Sequence, residues 1–586
     1  MHLVAPSDRF APLQSIGGGY HCATINDVAP GARYLYRLDG GKERPDPASR
    51  LQPQGVHGPS EVVAVDAFSW SDAAWAGRPL GEYVIYELHV GTYTGEGTFE
   101  AIIPHLNELS DLGVTAIEIM PVAQFPGDRN WGYDGAYPFA VQTSYGGPDG
   151  LRRLVDAAHA HGLSVILDVV YNHLGPEGNY LGEYGPYFTD RYRTPWGSAI
   201  NYDGPASDEV RRYFVENALQ WLNDFHIDAL RLDAVHAITD FSAVAFLDEL
   251  QLISHEAAER ANRRFYLIAE SDLNDARLIR PRAHGGYGLA AQWADDFHHA
   301  LHALLTNERD GYYEDFGSME HLVRAYRDGY AYTGEYSAYR QRRHGNSPRL
   351  NGAEQFIVCT QNHDQVGNRM LGDRLSALVS FEELKLAAGA VLLSPYLPLL
   401  FMGEEYGETA PFLYFVSHGD KGLVEAVRRG RSQEFADFRD QGEPPDPYDP
   451  ATFERSRLHH ELRAQGQHGV LRGFYKELIR LRATIPALAH LSNDELEVTG
   501  VEAQQVLVAR RWHGASQALV AINFAGCDAG VTAPTGTDRW TLALNSSDAG
   551  WAGPGQAVPQ ALDQSGTLVL PGKTLALYIN NKEAVL

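Results

Sequence analysis

The chain runs to 586 residues, enough for two to four domains, and its 44% hydrophobic content allows a large buried core. Its 48 basic and 75 acidic side chains leave a net charge of −27, which argues against nucleic acid or an anionic membrane as the main partner and suits a neutral or cationic substrate. Three cysteines, Cys22, Cys359 and Cys527, lie too far apart for a metal or redox spacing and read as small buried hydrophobes in a reducing compartment.

The N-terminus lacks a basic-then-apolar leader pattern, and the longest apolar run, 384–403, is broken by Ser394, Pro395 and Pro398. A cytoplasmic protein with no membrane span is expected. Residues up to about Trp75 are rich in Gly and Pro, with short alternating runs at 21–25 and 34–38, the pattern of a small β-sandwich. Few strands open it, so a piece N-terminal to this numbering is expected.

From Tyr83 the pattern becomes strand, helix, strand, helix. Strand-like runs fall at 84–89, 115–120, 164–170, 229–236, 265–269, 290–293, 355–359 and 397–401. Thr98 is suited to cap the first helix, with Ile102, Ile103, Leu106 and Leu109 on one face and Gly113 at its end. Leu151, Leu154 and Ala158 mark a second helix stopped by Gly162, and a third runs from Val210 to Phe225. Eight such strands are the number that closes a (β/α)8 barrel. The Gly-, Pro- and Tyr-rich connection 171–207 would form a lobe over its mouth, where Trp196 could offer a stacking face. The basic run 428–431 reads as a solvated helix face, 443–450 as an exposed loop, and 473–482 as helix. After Leu491 the chain turns β-rich again. The expected fold is therefore α/β: a (β/α)8 TIM barrel catalytic domain over 76–491, between an N-terminal β-sandwich at 1–75 and a C-terminal β-sandwich at 492–586.

Carboxylates recur where these strands end. Asp168 ends the third, Asp233 the fourth and Glu270 the fifth, and Asp364 follows the seventh. In Ala229-Leu-Arg-Leu-Asp233, side chains alternate faces, so Arg231 and Asp233 share one face while Leu230 and Leu232 turn to the surrounding helices. One such pair could be a buried ion pair and nothing more. Four carboxyls at one end of a barrel crowd negative charge at a cost, which favours a functional reason. Two carboxyls flanking a sugar bond are what glycosidases use. Arg231 would keep Asp233 ionised, and the apolar run before Glu270 would keep that acid protonated.

The segments 168–173, 229–236, 267–271 and 361–368 resemble, in order, the four sequence regions of the α-amylase superfamily, glycoside hydrolase family 13. The resemblance implies Asp233 as nucleophile, Glu270 as general acid/base and Asp364 as the third, transition-state-stabilising carboxylate. It implies that His173, Arg231 and His363 line the sugar subsite and that Tyr133, in Trp131-Gly-Tyr-Asp-Gly135, stacks on the sugar. Asp168 is read as holding Arg231 in place. The longer stretches 231–238, 268–275, 361–369, 401–405 and 412–420 resemble one branch of that superfamily, the enzymes that act on maltooligosyltrehalose. That implies hydrolysis of the α-1,4 bond next to the terminal trehalose, with a maltooligosyltrehalose synthase as pathway partner and no cofactor.

Trp293-Ala-Asp-Asp-Phe-His-His299 leaves the sixth strand toward the mouth. Asp295 or Asp296 could simply cap the next helix. The barrel end favours sugar contacts for Asp295, Asp296, His298 and His299, and likewise for His236, Gln365 and Asn368. No metal is expected, since the acids show no regular ligand spacing. Other superfamily activities, glycogen branching or debranching, would share fold and carboxylates. A binding module that had lost catalysis would lack some of Asp233, Glu270 and Asp364.

Overall fold

Eight parallel strands hydrogen-bond side by side into one closed barrel: β1 (Ile85–Leu88), β2 (Ala116–Ile119), β3 (Ser164–Val169), β4 (Ala229–Leu232), β5 (Tyr266–Ala269), β6 (Ala291–Trp293), β7 (Phe356–Cys359) and β8 (Leu397–Phe401). They are the eight runs expected from the sequence, seven trimmed by at most two residues; the fourth, expected over 229–236, stops at Leu232, where Ala234 turns into the left-handed region and a 3-10 turn, Val235–Ala237, follows. The computed structural model describes residues 1–195, 197–435, 443–532, 539–562 and 566–581, so the expectation for Trp196 lies outside the described residues.

The period of two sorts each strand into an inner and an outer face. Ile85, Ala116, Ile166, Ala229, Ile268, Ala291, Ile357 and Leu397 form one apolar layer inside the barrel. Leu88, Ile117, Leu167, Leu230, Leu232, Leu267 and Leu400 face outward into the core shared with the helices. Two residues beyond the inner layer, still inside, come Glu87, Glu118, Asp168 and Arg231. Glu87 pairs in register with Glu118, and Asp168 with Arg231. Apolar packing thus closes the barrel below, and charge is admitted only toward the carboxyl ends of the strands.

The helix after β1 starts as expected: the Thr98 hydroxyl accepts from the N–H of Ala101 at 3.3 Å, and Gly113 closes it in the left-handed region at φ 102°. Pro104 cannot donate to the helical ladder, and the path tightens to a 3-10 turn, Ile103–His105, between Phe99–Ile102 and Leu106–Leu112. The connection after β3 carries a hairpin, Phe188–Thr194 with Gly197–Ile200. The basic run lies on the helix Lys421–Glu434, where Arg428 pairs with Glu425 and Asp446, and Arg431 with Glu434. No described helix is long and apolar enough to cross a membrane.

At the N-terminus a five-stranded sheet built on His2–Ala5 and Arg33–Arg37 is joined by a separate hairpin, Gln14–Gly17 with Tyr20–Cys22. That hairpin is exposed throughout, and Cys22 with it; Cys527 is exposed too, so only Cys359 is the buried hydrophobe expected of all three. The reason is local: no second layer covers the hairpin. At the C-terminus a six-stranded sheet faces the two-stranded sheet of Ala529–Thr532 and Thr567–Leu570. Val506, Val508, Leu519 and Tyr578 fill the space between them. The alternate residues Leu507, Ala509, Val520 and Leu577 pack toward the barrel.

The segment between the N-terminal sheet and β1 straps the barrel's amino-terminal end. Asp72 meets His159 Nδ1 at 2.8 Å, and His159 Nε2 meets Asp228 at 3.0 Å. Trp75 stacks on His159 and donates to Asp228 at 2.8 Å.

Candidate active site

Arg231 is the hub. Its side chain is fully buried on β4, with the Trp293 ring 4.4 Å from the guanidinium carbon. Its Nη1 donates to Asp168 Oδ2 and to Asp233 Oδ1, each at 2.8 Å, and its Nη2 lies 3.6 Å from Glu270 Oε2. One cation thus gathers three carboxyl groups from three neighbouring strand ends. Glu270 is held by the backbone N–H of Ala234 at 2.6 Å. Asn172 donates to the Asp233 carboxylate at 2.8 Å and to its carbonyl at 2.6 Å.

The environment biases Asp233 and Glu270 in opposite directions. Burial works against the charge of Asp233, but Arg231, His173 and the Asn172 hydrogen bond outweigh it and hold Asp233 below the ordinary carboxylate range. Burial raises Glu270; Arg231 opposes the rise, while the charges of Asp233 and Asp364 add to it. Burial also pushes Asp168 up to about 7. The site therefore favours the charged form of one carboxyl and the protonated form of its neighbour.

The other residues singled out in the sequence fall into two groups. Tyr133 lies between Asp168 and His363, its hydroxyl 2.6 Å from Asp168 Oδ2 and 2.7 Å from His363 Nε2, with its ring stacked on the His363 ring at 5.2 Å. The loop that delivers it depends on Gly132, whose φ of +109° and position leave no room for a Cβ, which would sit 2.1 Å from the Pro121 carbonyl oxygen. His173 bonds the Tyr133 carbonyl at 3.0 Å and pairs with Asn172 through its other nitrogen. Asp364 accepts from Asn368 at 3.1 Å and lies 3.4 Å from His363. Gln365 meets the Tyr312 hydroxyl at 3.1 Å. His236 stands at the rim, 3.9 Å from Asp272. Asp295 is half-buried; burial, then Glu270 and Asp364, push its carboxyl well above the usual range, which places it in the same acidic group.

The second group is turned into the protein. Asp296 Oδ2 accepts from Asn274 and from the backbone N–H groups of Ala331 and Tyr332, all within 2.9 Å. His298 is buried with Nδ1 on the Thr360 carbonyl at 2.7 Å and Nε2 on Tyr313 at 2.9 Å. His299 packs among Tyr312, Tyr313 and Phe316. Asp295 and Asp296 open a helix whose period of 3.6 sends consecutive residues to different faces, so the run 295–299 cannot all point into the mouth.

Sequence reasoning passed over Glu87, Glu118, Asn172 and Trp293 as site residues. The first two could have been found from the alternation Ile85/Glu87 and Ala116/Glu118, which places both inside the barrel just above its apolar layer. Among the described residues, His490, Glu495 and His513 bring three metal-ligand types together. Both histidines sit on the same Glu495 oxygen, at 3.2 and 3.1 Å, with ring centroids 4.0 Å apart and planes only 30° from parallel.

A closed (β/α)8 barrel carrying a hub arginine among carboxyls at its strand ends is the architecture of α-amylase-type glycosidases, and the alpha amylase catalytic domain family matches residues 67–194. The malto-oligosyltrehalose trehalohydrolase of Saccharolobus solfataricus is 51% identical over 79% of this chain and 80% of its own. A crystal structure from Salmonella typhimurium, provisionally described as an alpha amylase, superimposes with a TM-score of 0.88 at 37% identity, covering 98% of this chain and 94% of that one. By contrast, the 1,4-alpha-glucan branching enzyme of Corynebacterium jeikeium is 28% identical over 68% of this chain and 57% of its own. The chain belongs to the malto-oligosyltrehalose trehalohydrolase family.

Proposed function

We propose that this protein hydrolyses the α-1,4-glucosidic bond joining a maltooligosaccharide to a terminal trehalose unit, releasing trehalose and a maltooligosaccharide with retention of configuration at the cleaved carbon. The observation that carries the reading is the opposite bias of Asp233 and Glu270 around one guanidinium. A retaining glycosidase needs that division of labour. Glu270 gives its proton to the glycosidic oxygen as the bond to the anomeric carbon breaks. Asp233 Oδ attacks that carbon from the opposite face, forming a glycosyl ester. Water then attacks the anomeric carbon, losing a proton to Glu270 as the bond to the Asp233 oxygen breaks and Asp233 returns as a carboxylate. Asp364 serves as the third carboxylate, stabilising positive charge on the ring. Tyr133, His173, Arg231 and His363 take the sugar at the cleaved bond; His236, Asp295, Gln365 and Asn368 are assigned as further sugar contacts.

Trehalose and maltose are of equal size, so apolar packing separates them poorly. Polar groups left unpaired by the wrong sugar discriminate far better. The reading places the protein in trehalose biosynthesis, downstream of a maltooligosyltrehalose synthase that would supply its substrate, in the cytoplasm, consistent with three unpaired cysteines. The test compares maltotriosyltrehalose with a plain maltooligosaccharide of equal length and analyses products. Preferential release of trehalose supports the reading. Equal cleavage of the plain chain, or new α-1,6 branches, would overturn it.

A further inference from the structure

Glu87 lies on β1 at 1% exposure, where a carboxylate must find hydrogen-bond donors to be tolerated. Both its oxygens serve one residue. Oε2 accepts the backbone N–H of His363 at 2.9 Å, and Oε1 faces His363 Nδ1 at 2.5 Å. The other ring nitrogen, Nε2, lies 2.7 Å from the Tyr133 hydroxyl, which in turn lies 2.6 Å from Asp168 Oδ2. Arg231 then joins Asp168 to Asp233. An unbroken hydrogen-bonded chain therefore runs from Glu87, beneath the site, to the carboxylate that attacks the sugar.

Counting protons along this chain decides the state of its middle. An ionised carboxylate only accepts, and a phenol has one proton to give. With Asp168 ionised, Tyr133 donates to Asp168 and accepts from His363, so Nε2 carries a hydrogen. Glu87 accepts from the other side, so Nδ1 carries one as well. An imidazole with hydrogen on both nitrogens is a cation.

We infer that Glu87 is a positioning residue whose carboxylate holds His363 as a fixed imidazolium and, through it, directs the Tyr133 hydroxyl proton toward Asp168. The inference rests on the proposed placing of His363 at the sugar, where a donor already charged and aimed needs no reorganisation during the reaction. The groups facing His363 are Glu87 from β1, His89 just after it, Glu118 from β2, Tyr133 from the following loop, Asp168 from β3, Arg231 from β4 and its own neighbour Asp364, 3.4 Å from Nε2. Glu118 has no hydrogen-bond partner among the described residues, and burial, then the charges of Glu87 and Asp168, push its carboxyl well above the usual range, which weakens it as a counter-charge to His363. Burial alone would lower His363; Asp364 and Glu87 reverse this and carry it to about 9.

The test is 15N NMR of histidine-labelled protein at pH 8, above Asp168 at about 7 and below His363 at about 9. The His363 signal is identified by its loss in His363→Gln. The expected wild-type result is an imidazolium pattern on both ring nitrogens; a neutral ring there overturns the inference, whatever any variant does. Glu87→Gln should leave His363 neutral at pH 8, whereas Glu118→Gln, which introduces an amide into the same layer, should leave the signal unmoved. Relative to wild type at the same pH, kcat/KM of Glu87→Gln should be roughly 10- to 100-fold lower at pH 8, and this deficit should shrink at pH 6, where the ring regains its proton. A merely structural defect would leave the ratio to wild type the same at both pH values. An unchanged signal and pH profile in Glu87→Gln sinks the proposal. Failure to release trehalose with the imidazolium intact would count against the substrate reading and not against Glu87.

Discussion

Arg231 and Asp233 meet at 2.8 Å although only one residue separates them, because alternation along an extended strand returns both side chains to the barrel interior. The same arginine nitrogen reaches Asp168, and the second approaches Glu270. This fan of contacts needs a planar fork. A lysine ammonium is a single point and cannot hold Asp168 and Asp233 while facing Glu270. Arg231→Lys should therefore lower kcat/KM by roughly 100-fold or more, with Asp233 and Glu270 still present. Steady-state kinetics checks this, with near-UV circular dichroism to confirm a native core. A loss of under tenfold would remove Arg231 from the centre of the mechanism.

Asp233→Asn keeps the shape of the side chain and removes its nucleophilic charge. Turnover should fall by roughly 10^4-fold or more while the thermal midpoint changes little. Appreciable activity in this variant, once contaminating wild type is excluded, would reassign the nucleophile.

Retention makes a stereochemical forecast. Proton NMR of freshly released maltooligosaccharide should show the α-anomer first, with the β-anomer growing only as mutarotation proceeds. An initial β-anomer would mean inversion and a different role for Asp233.

The pH profile of kcat/KM follows from the two biased carboxyls. Asp233 must be ionised, so activity should fall only as pH drops through a pKa below its ordinary 3.8. Glu270 must be protonated, so activity should fall as pH rises through a pKa above its ordinary 4.5. Part of that rise comes from the charge on Asp364, so Asp364→Asn should move the alkaline limb to lower pH in its residual activity. A limb that stays in place would uncouple Asp364 from Glu270.

The strap beneath the barrel gives a stability prediction. Asp72, 2% exposed at its side chain, is pushed up by burial but lowered further by His159 and His226, so its net shift is downward. His159 is lowered by burial but raised further by Asp228 and Asp72, for a net upward shift. A lowered acid contributes stability above its unfolded pKa and loses it as pH falls; a raised histidine contributes below its unfolded pKa and loses it as pH rises. The strap should stabilise most between about pH 4 and 6.5. Asp72→Asn removes one partner of a buried pair and should cost about 3 kcal/mol in that window, and less outside it. Urea unfolding at several pH values reads this directly; a constant difference across pH would remove the titration from the explanation.

Much of this was legible in the chain itself. Alternation of Leu230 and Leu232 with Arg231 and Asp233, and the recurrence of acids after apolar runs, specify strands, their faces and the end at which chemistry collects, because these are short-range consequences of backbone period and solvation. What happens across strands depends on closure. That Arg231 also holds Asp168, 63 residues earlier, and that Glu87 bonds His363, 276 residues later, follows from neighbouring strands lying side by side in one barrel, a relation no local pattern encodes. The helix from Asp295 makes the same point in reverse. Its sequence placed four candidates near the mouth, Asp295, Asp296, His298 and His299, but tertiary packing turned Asp296 toward the Ala331 and Tyr332 amides and His298 toward Thr360 and Tyr313. Which of several polar side chains stays free for a ligand is decided by which buried donors and acceptors must be satisfied, and those are contributed by the rest of the fold.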